Sequence, residues 1–173
     1  MDKEWTPMIV LGGGGHTQEM VEIVKKGPVF ASMNIVCSSC DSLSAKIFKS
    51  EAAPSKYSLY TIERPNDVHE KYSMHKMLYS LFLSILLVLR TNSHFLLCNG
   101  PGLCVPLVIA YKLVYPFRPV FYIESTTRIT SLSTTGAIVQ YIASRFIVQS
   151  KHLERKSYPR RTYHKIFDIN TMK

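Results

Sequence analysis

The chain has 173 residues, a formal net charge of +9 and 46% apolar side chains. That length is one domain of ordinary size with enough apolar content for a core. It carries no low-complexity tract or internal repeat, and no signal peptide opens it, since Asp2-Lys3-Glu4 runs straight toward the first strand.

The first predicted strand, Met8–Leu11, runs into Gly12-Gly-Gly-Gly-His16 and then a helix over Thr17–Lys26. Met20, Ile23 and Val24 share one helix face, Glu22 and Lys26 form an i,i+4 pair, and Gly27-Pro28 ends the helix. Glycines without Cβ let the backbone take positive φ and let a ligand come close. A helix N-terminus offers free N–H groups and partial positive charge to an anion. Gly13, Gly14, Gly15 and Thr17 are therefore expected to hold a phosphate or polar ligand, with His16 as a titratable group beside it. A tight turn with no ligand is the alternative, at roughly 1 kcal/mol for each idle glycine. Neither standard glycine motif fits. The dinucleotide fingerprint needs glycine where Thr17 stands, and no Gly-Lys-Ser/Thr follows to make a P-loop.

A strand over Met33–Cys37 leads through a Ser38–Ser44 turn to a helix over Leu43–Ser50. Cys37 and Cys40 have metal or redox spacing, but no second pair supports it, so they read as structural or incidental thiols and no metal is expected. A strand over Ser58–Ile62 and a helix over Asp67–Leu89 follow. Within that helix Met77–Leu89 is apolar for thirteen residues, short of the roughly twenty that span a bilayer. It reads first as a buried helix and second as an interfacial one, with Lys71, His75 and Lys76 at the headgroups.

Strands are then expected at His94–Cys98, Val120–Glu124 and Phe146–Gln149. Helices are expected at Gly102–Val114 and Ser133–Ser144, with a short one near Lys151–Lys156. Continuous apolar strands suit a parallel sheet buried on both faces. Their alternation with helices predicts a three-layer, Rossmann-like α/β fold in a single domain over residues 1–173. From Arg145 to Lys173 eight Lys or Arg face only Glu154 and Asp168, a balance that suits phosphates, anionic membrane or an acidic partner. No RNA- or DNA-binding motif accompanies the charge, so nucleic acid is not an expected partner.

Ligands of such sheets bind beyond the carboxyl ends of the strands. Four loops should converge there: Gly12–His16, Ser38–Ser44, Asn99–Gly102 and Glu124–Arg128. His16 is a candidate general base or a helix cap. Glu124 ends an apolar strand with no packing reason to be there, and could be the base, orient His16, or pair with Arg128. Arg128 is placed to clamp a phosphate bidentately. Asn99, Gly100 and Gly102, stiffened by Pro101, are a second polar loop or simply a rigid helix start.

Several stretches carry a resemblance in fixed order along nearly the whole chain. They are Gly13-Gly-Gly-His-Thr-Gln-Glu19, Cys40-Asp-Ser-Leu-Ser-Ala-Lys46, Leu97-Cys-Asn-Gly-Pro-Gly-Leu-Cys-Val-Pro106, Tyr122-Ile-Glu-Ser125 with Arg128, Leu132-Ser133 with Gly136, and Phe146-Ile-Val-Gln149. Together they resemble the acceptor and membrane-anchor subunit of a split UDP-GlcNAc transferase, the fourteenth asparagine-linked glycosylation protein family. The resemblance implies the acceptor-side half of an inverting GT-B glycosyltransferase that works without a bound metal or cofactor. A similar domain forms the N-terminal half of the bacterial lipid II-forming transferase.

On this reading a separate donor-binding subunit carries the UDP-GlcNAc pocket. The acceptor is dolichyl-diphosphate-GlcNAc at the cytosolic face of the endoplasmic reticulum membrane, and the lone chain is inactive. His16 and Glu124 fall at catalytic positions. Gly13, Gly14, Gly15, Thr17, Asn99, Gly100, Gly102, Ser125 and Arg128 fall at acceptor or phosphate positions. Gln149 and the tail from Tyr158-Pro159 to Lys173 fall toward the partner. Family members commonly carry a transmembrane helix before the glycine loop. Only seven residues precede the first strand here, so membrane contact is expected from Met77–Leu89, the basic tail or the partner. Other readings of the same residues are a non-catalytic recruitment scaffold and a stand-alone nucleotide- or nucleic-acid-binding domain.

Overall fold

A computed structural model describes residues 5–63, 74–154 and 161–166. In chain order it contains β1 (Pro7–Val10), α1 (Gly15–Lys26), β2 (Ser32–Ser38), α2 (Ser42–Glu51), β3 (Lys56–Ile62), α3 (Met74–Thr91), β4 (Phe95–Asn99), α4 (Cys104–Val114), β5 (Val120–Ile123), α5 (Thr134–Val139), β6 (Arg145–Val148) and β7 (Arg161–Tyr163), with a 3-10 turn at Lys151–Leu153. The strands form one sheet in the order β3-β2-β1-β4-β5-β6-β7, and every pairing is parallel.

Alternate residues of each strand feed two cores, which is why the strands read as unbroken apolar runs. Met8, Val10, Leu96, Cys98, Val120, Tyr122 and Phe146 face α3, α4 and α5. Ile9, Leu11, Ile35, Cys37, Leu97 and Ile123 face α1 and α2. β1 pairs with both β2 and β4, so strand order reverses there. The helices that follow β1 and β4 consequently pack on opposite faces of the sheet, and their two loops meet at its carboxyl edge.

All six expected strands and the expected doubly wound layout are present. The seventh strand, β7, went unpredicted because Arg161-Thr162-Tyr163 has no apolar run. Its extended state comes from pairing with Phe146, Ile147 and Val148. The helix expected over Ser133–Ser144 ends at Val139. Thr134, Thr135, Gly136, Ile138 and Val139 are weak helix formers, and Ser144 instead donates its N–H to Val120 O at 2.8 Å. The expected start of the third helix at Asp67 lies outside the described residues.

The helix α3 corrects a reading of the sequence: it is not buried. Ser80, Ser84, Leu87 and Val88 turn inward, while Leu78, Tyr79, Phe82, Leu86 and Leu89 stand 48–59% exposed. Its polar serines can face the protein because they close hydrogen bonds there, Ser84 Oγ to Ser80 O at 2.7 Å and Ser80 Oγ to Glu63 O at 3.3 Å. With 18 residues it is the one helix among those described that is long and apolar enough to cross a membrane.

Candidate active site at the carboxyl edge of the sheet

The glycine loop is held from beneath and open above. Gly12 is buried against the Pro101 ring, where a Cβ would press to 2.7 Å. Its carbonyl accepts the Thr17 hydroxyl at 2.5 Å and meets the Ser44 hydroxyl at 3.2 Å. Asp41 caps α2 by accepting the N–H and hydroxyl of Ser44 at 3.1 and 2.7 Å, so the turn after β2 is tied to the loop after β1. Thr17 is buried and its hydroxyl is spent on the loop, which makes it a brace and not a ligand donor. Lys46 is exposed on α2. Gly14 takes φ +62° as the N-cap of α1 and supplies no side-chain cap. Beyond Gly14 and Gly15 nothing lies within 4 Å of where a Cβ would stand. Gly14 and Gly15 thus border open space at a helix start, where an anion can be received, while Thr17 N is spent on Gly14 O at 3.2 Å.

At the first turn of α1, His16 leans across to the loop after β4. Its Nδ1 lies 3.1 Å from Asn99 Oδ1. Asn99 is fully buried and donates its Nδ2 to Ile123 O at 3.2 Å, so its oxygen faces the ring. An acceptor there places the hydrogen of neutral His16 on Nδ1 and leaves the Nε2 lone pair free. Gly100 has φ +74°, and any Cβ on it would fall on the imidazole. Only glycine lets the ring lie there, which gives Gly100 a packing role beside its place in the loop. Gly102 borders open space at the start of α4.

Glu19, one turn further along α1, reaches back under His16. Its Oε2 is 3.9 Å from His16 Nδ1. Its Oε1 accepts Ser125 Oγ at 2.9 Å, Thr126 N at 2.9 Å and Thr126 Oγ1 at 2.6 Å. Burial works to raise the Glu19 pKa, but the imidazole and the Thr126 and Ser125 donors outweigh it and bring it down to about 2. The same carboxylate is the main reason that the His16 pKa is raised. Burial opposes that shift, and Asn99 and the charge of Glu124 add to it. In the sequence Glu19 closes the Gly13–Glu19 stretch without a role of its own. The signal was present: a histidine and a glutamate three apart on a helix share a face.

Glu124 is fully buried at the end of β5. Its Oε1 accepts Ser125 N at 3.1 Å, and its Oε2 accepts Ser133 N at 3.1 Å and Ser133 Oγ at 3.0 Å. Ser133 in turn caps α5 at Gly136 N, 2.9 Å away. Both oxygens are thereby engaged, so the geometry gives Glu124 the work of joining β5, its following loop and α5. Ser125 is also buried, with its hydroxyl on Glu19. Arg128 stands exposed on the same loop. It forms no ion pair with Glu124 among the described residues and remains free to meet an anion. Gln149, at the end of β6, accepts Ile166 N on Oε1 at 3.0 Å while its Nε2 is buried without a partner among the described residues. Tyr158 and Pro159 lie outside the described residues. The structure therefore gathers His16, Glu19, Asn99, Gly100, Glu124 and Ser125 at one rim, with Gln149 on the strand beyond β5.

The profile of the family described as "Oligosaccharide biosynthesis protein Alg14 like" matches residues 7–167. The chain belongs to the Alg14 family. Relatives named UDP-N-acetylglucosamine transferase subunit ALG14 include that of Mus musculus, 33% identical over 174 residues, with 90% of this chain and 80% of the relative covered. That of Candida albicans is 36% identical over 169 residues, covering 91% and 76%. Among solved structures, Acinetobacter baumannii MurG matches with a TM-score of 0.67 at 18% identity, covering 91% of this chain and 45% of MurG. UDP-GlcNAc 2-epimerase from Methanocaldococcus jannaschii matches with a TM-score of 0.56 at 9% identity, covering 85% and 40%. This Alg14-family chain spans less than half the length of either structure, so the fold it shares is one half of a GT-B architecture.

Proposed function

We propose that this chain is the acceptor-side subunit of a two-chain UDP-N-acetylglucosamine transferase that extends GlcNAc-diphosphodolichol at the cytosolic face of the endoplasmic reticulum. The observation that carries this reading is the His16 imidazole, its Nδ1 on Asn99 and its Nε2 without a partner among the described residues, beside an open glycine loop in a chain that covers 45% of MurG. A catalytic cleft in that architecture lies between two halves. On this reading a second polypeptide supplies the wall that binds the UDP-sugar.

In the reaction, the acceptor hydroxyl attacks C1 of the donor sugar as the bond to UDP breaks. His16 Nε2 takes the hydroxyl proton, work that contributes typically 10²–10⁴-fold. The N–H groups at the start of α1 and the Arg128 guanidinium hold the acceptor diphosphate. Glu124 and Asn99 fix the loops that present these groups.

The exposed face of α3 serves as the membrane contact. Leu78, Phe82, Leu86 and Leu89 recur at intervals of three and four, and burying each such side chain is worth about 1.5–3 kcal/mol. The test of the function is reconstitution. Full-length chain is combined with the donor-binding subunit, UDP-GlcNAc and GlcNAc-diphospho-lipid, and product is counted. Transfer should need both polypeptides, and His16→Gln in this chain should abolish it without loss of the complex. Transfer by the lone chain defeats the two-chain reading, and full activity of the His16 variant returns the chain to a scaffold.

A further inference from the structure

We propose that Glu19 is a positioning residue for His16: held by Ser125 and Thr126, it keeps a carboxylate beside the ring and steadies the imidazolium formed when Nε2 takes a proton, while Asn99 fixes the tautomer. The inference rests on the reading of His16 as proton acceptor and assigns the group that acts through it.

The asymmetry of the carboxylate carries the argument. Three donors converge on Oε1. Oε2 is buried with no hydrogen-bond partner among the described residues, 3.9 Å from His16 Nδ1. A buried carboxylate oxygen left without a donor is costly, and a positive charge on the ring 3.9 Å away offsets that cost while Asn99 Oδ1 takes the Nδ1 hydrogen. A residue that merely tied α1 to the loop after β5 would use both oxygens for that purpose. Here one oxygen anchors and the other is kept toward the imidazole.

The groups facing His16 are Glu19 from its own helix, the neutral Asn99 from the end of β4 and the charge of Glu124 from the end of β5. Both carboxylates favour the imidazolium, and only Glu19 approaches the ring within ion-pair distance. As the hydroxyl oxygen bonds to sugar C1 and UDP departs with its electron pair, Nε2 gains the proton. The new positive charge then lies against the Glu19 anion until the proton passes to solvent.

The experiment uses full-length chain in detergent micelles with isotope-labelled histidine, the His16 signal being assigned by its loss in His16→Gln. Ring nitrogen and carbon shifts report pKa and tautomer without any activity. The wild type should carry its hydrogen on Nδ1 above a pKa higher than 6.5. Glu19→Gln should lower that pKa by about one unit and leave the hydrogen on Nδ1, where Asn99 holds it. Glu19→Asp, which withdraws the charge by one methylene, should give a smaller drop and is read in place of Glu19→Gln if that variant does not fold. In the reconstituted complex, Glu19→Gln should lower kcat about tenfold, leave KM for the acceptor within twofold, and move the acid limb of the pH profile down with the NMR shift. An unchanged His16 pKa in the folded variant overturns the proposal. A wild-type complex without transfer would instead defeat the transferase reading, and the NMR titration would still decide the role of Glu19.

Discussion

Replacing Gly136 by alanine sets two terms of opposite sign against each other. Gly136 lies in the first turn of α5, and on helix propensity alone the change should stabilise by roughly 1 kcal/mol. In the folded chain a Cβ there would land on Glu124 Oε2, 3.2 Å from Glu124 Cδ and 3.0 Å from Ser133 Oγ. Neither neighbour can yield freely, because Oε2 holds Ser133 N at 3.1 Å and Ser133 Oγ at 3.0 Å. Displacing the carboxylate weakens two charge-assisted bonds worth about 1.5–3 kcal/mol each and exposes a fully buried charge to poor pairing. The net expectation is a loss of about 2–4 kcal/mol, so packing outweighs propensity. Urea unfolding followed by circular dichroism measures it. Gly15→Ala is the control, since nothing lies within 4 Å of its Cβ position. That variant should gain about 0.4–1 kcal/mol yet weaken acceptor binding, because its methyl projects into the space proposed for the diphosphate. A Gly136→Ala chain as stable as the wild type would refute the structural role assigned to Glu124.

Acid stability should depend on Glu19. Its pKa falls from 4.5 to about 2 on folding, so its contribution is complete above pH 4.5 and is lost as pH falls toward 2. The full amount is about 3 kcal/mol, and wild-type and Glu19→Gln unfolding curves should converge over that range. His16 acts in the opposite sense. With its pKa raised above 6.5, its contribution is complete below pH 6.5 and fades as pH climbs past the folded value, which the same urea series carried to alkaline pH should reveal. A Leu78→Glu, Phe82→Glu chain should keep its unfolding midpoint, since both side chains are 56% exposed, and lose at least tenfold in binding to anionic vesicles by co-sedimentation. An Arg128→Ala complex should raise the acceptor KM severalfold, read from initial rates, with little change in stability, because Arg128 is exposed and makes no ion pair among the described residues.

Local chemistry was legible before any coordinates. The apolar runs at Met8–Leu11, His94–Cys98 and Val120–Glu124, the glycines after the first, and the Asn99-Gly100-Pro101-Gly102 turn announced a parallel sheet with ligand loops at one edge. They did so because a strand buried on both faces and a loop without Cβ atoms each leave a mark within a few residues of sequence. What those residues alone could not settle was how the polar groups pair. Glu124 and His16 were both plausible proton acceptors. The fold gives Glu124 three donors from Ser125 and Ser133 and sets His16 Nδ1 against Asn99 Oδ1. Glu19 gained its place only when Ser125 and Thr126, more than a hundred positions away, arrived beneath α1. The outward face of α3 and the strand status of Arg161–Tyr163 were likewise settled by what packs or pairs beside them. Propensity and glycine conformation act along the chain, whereas the partners of a buried charge are chosen by contacts that exist only after the sheet has closed.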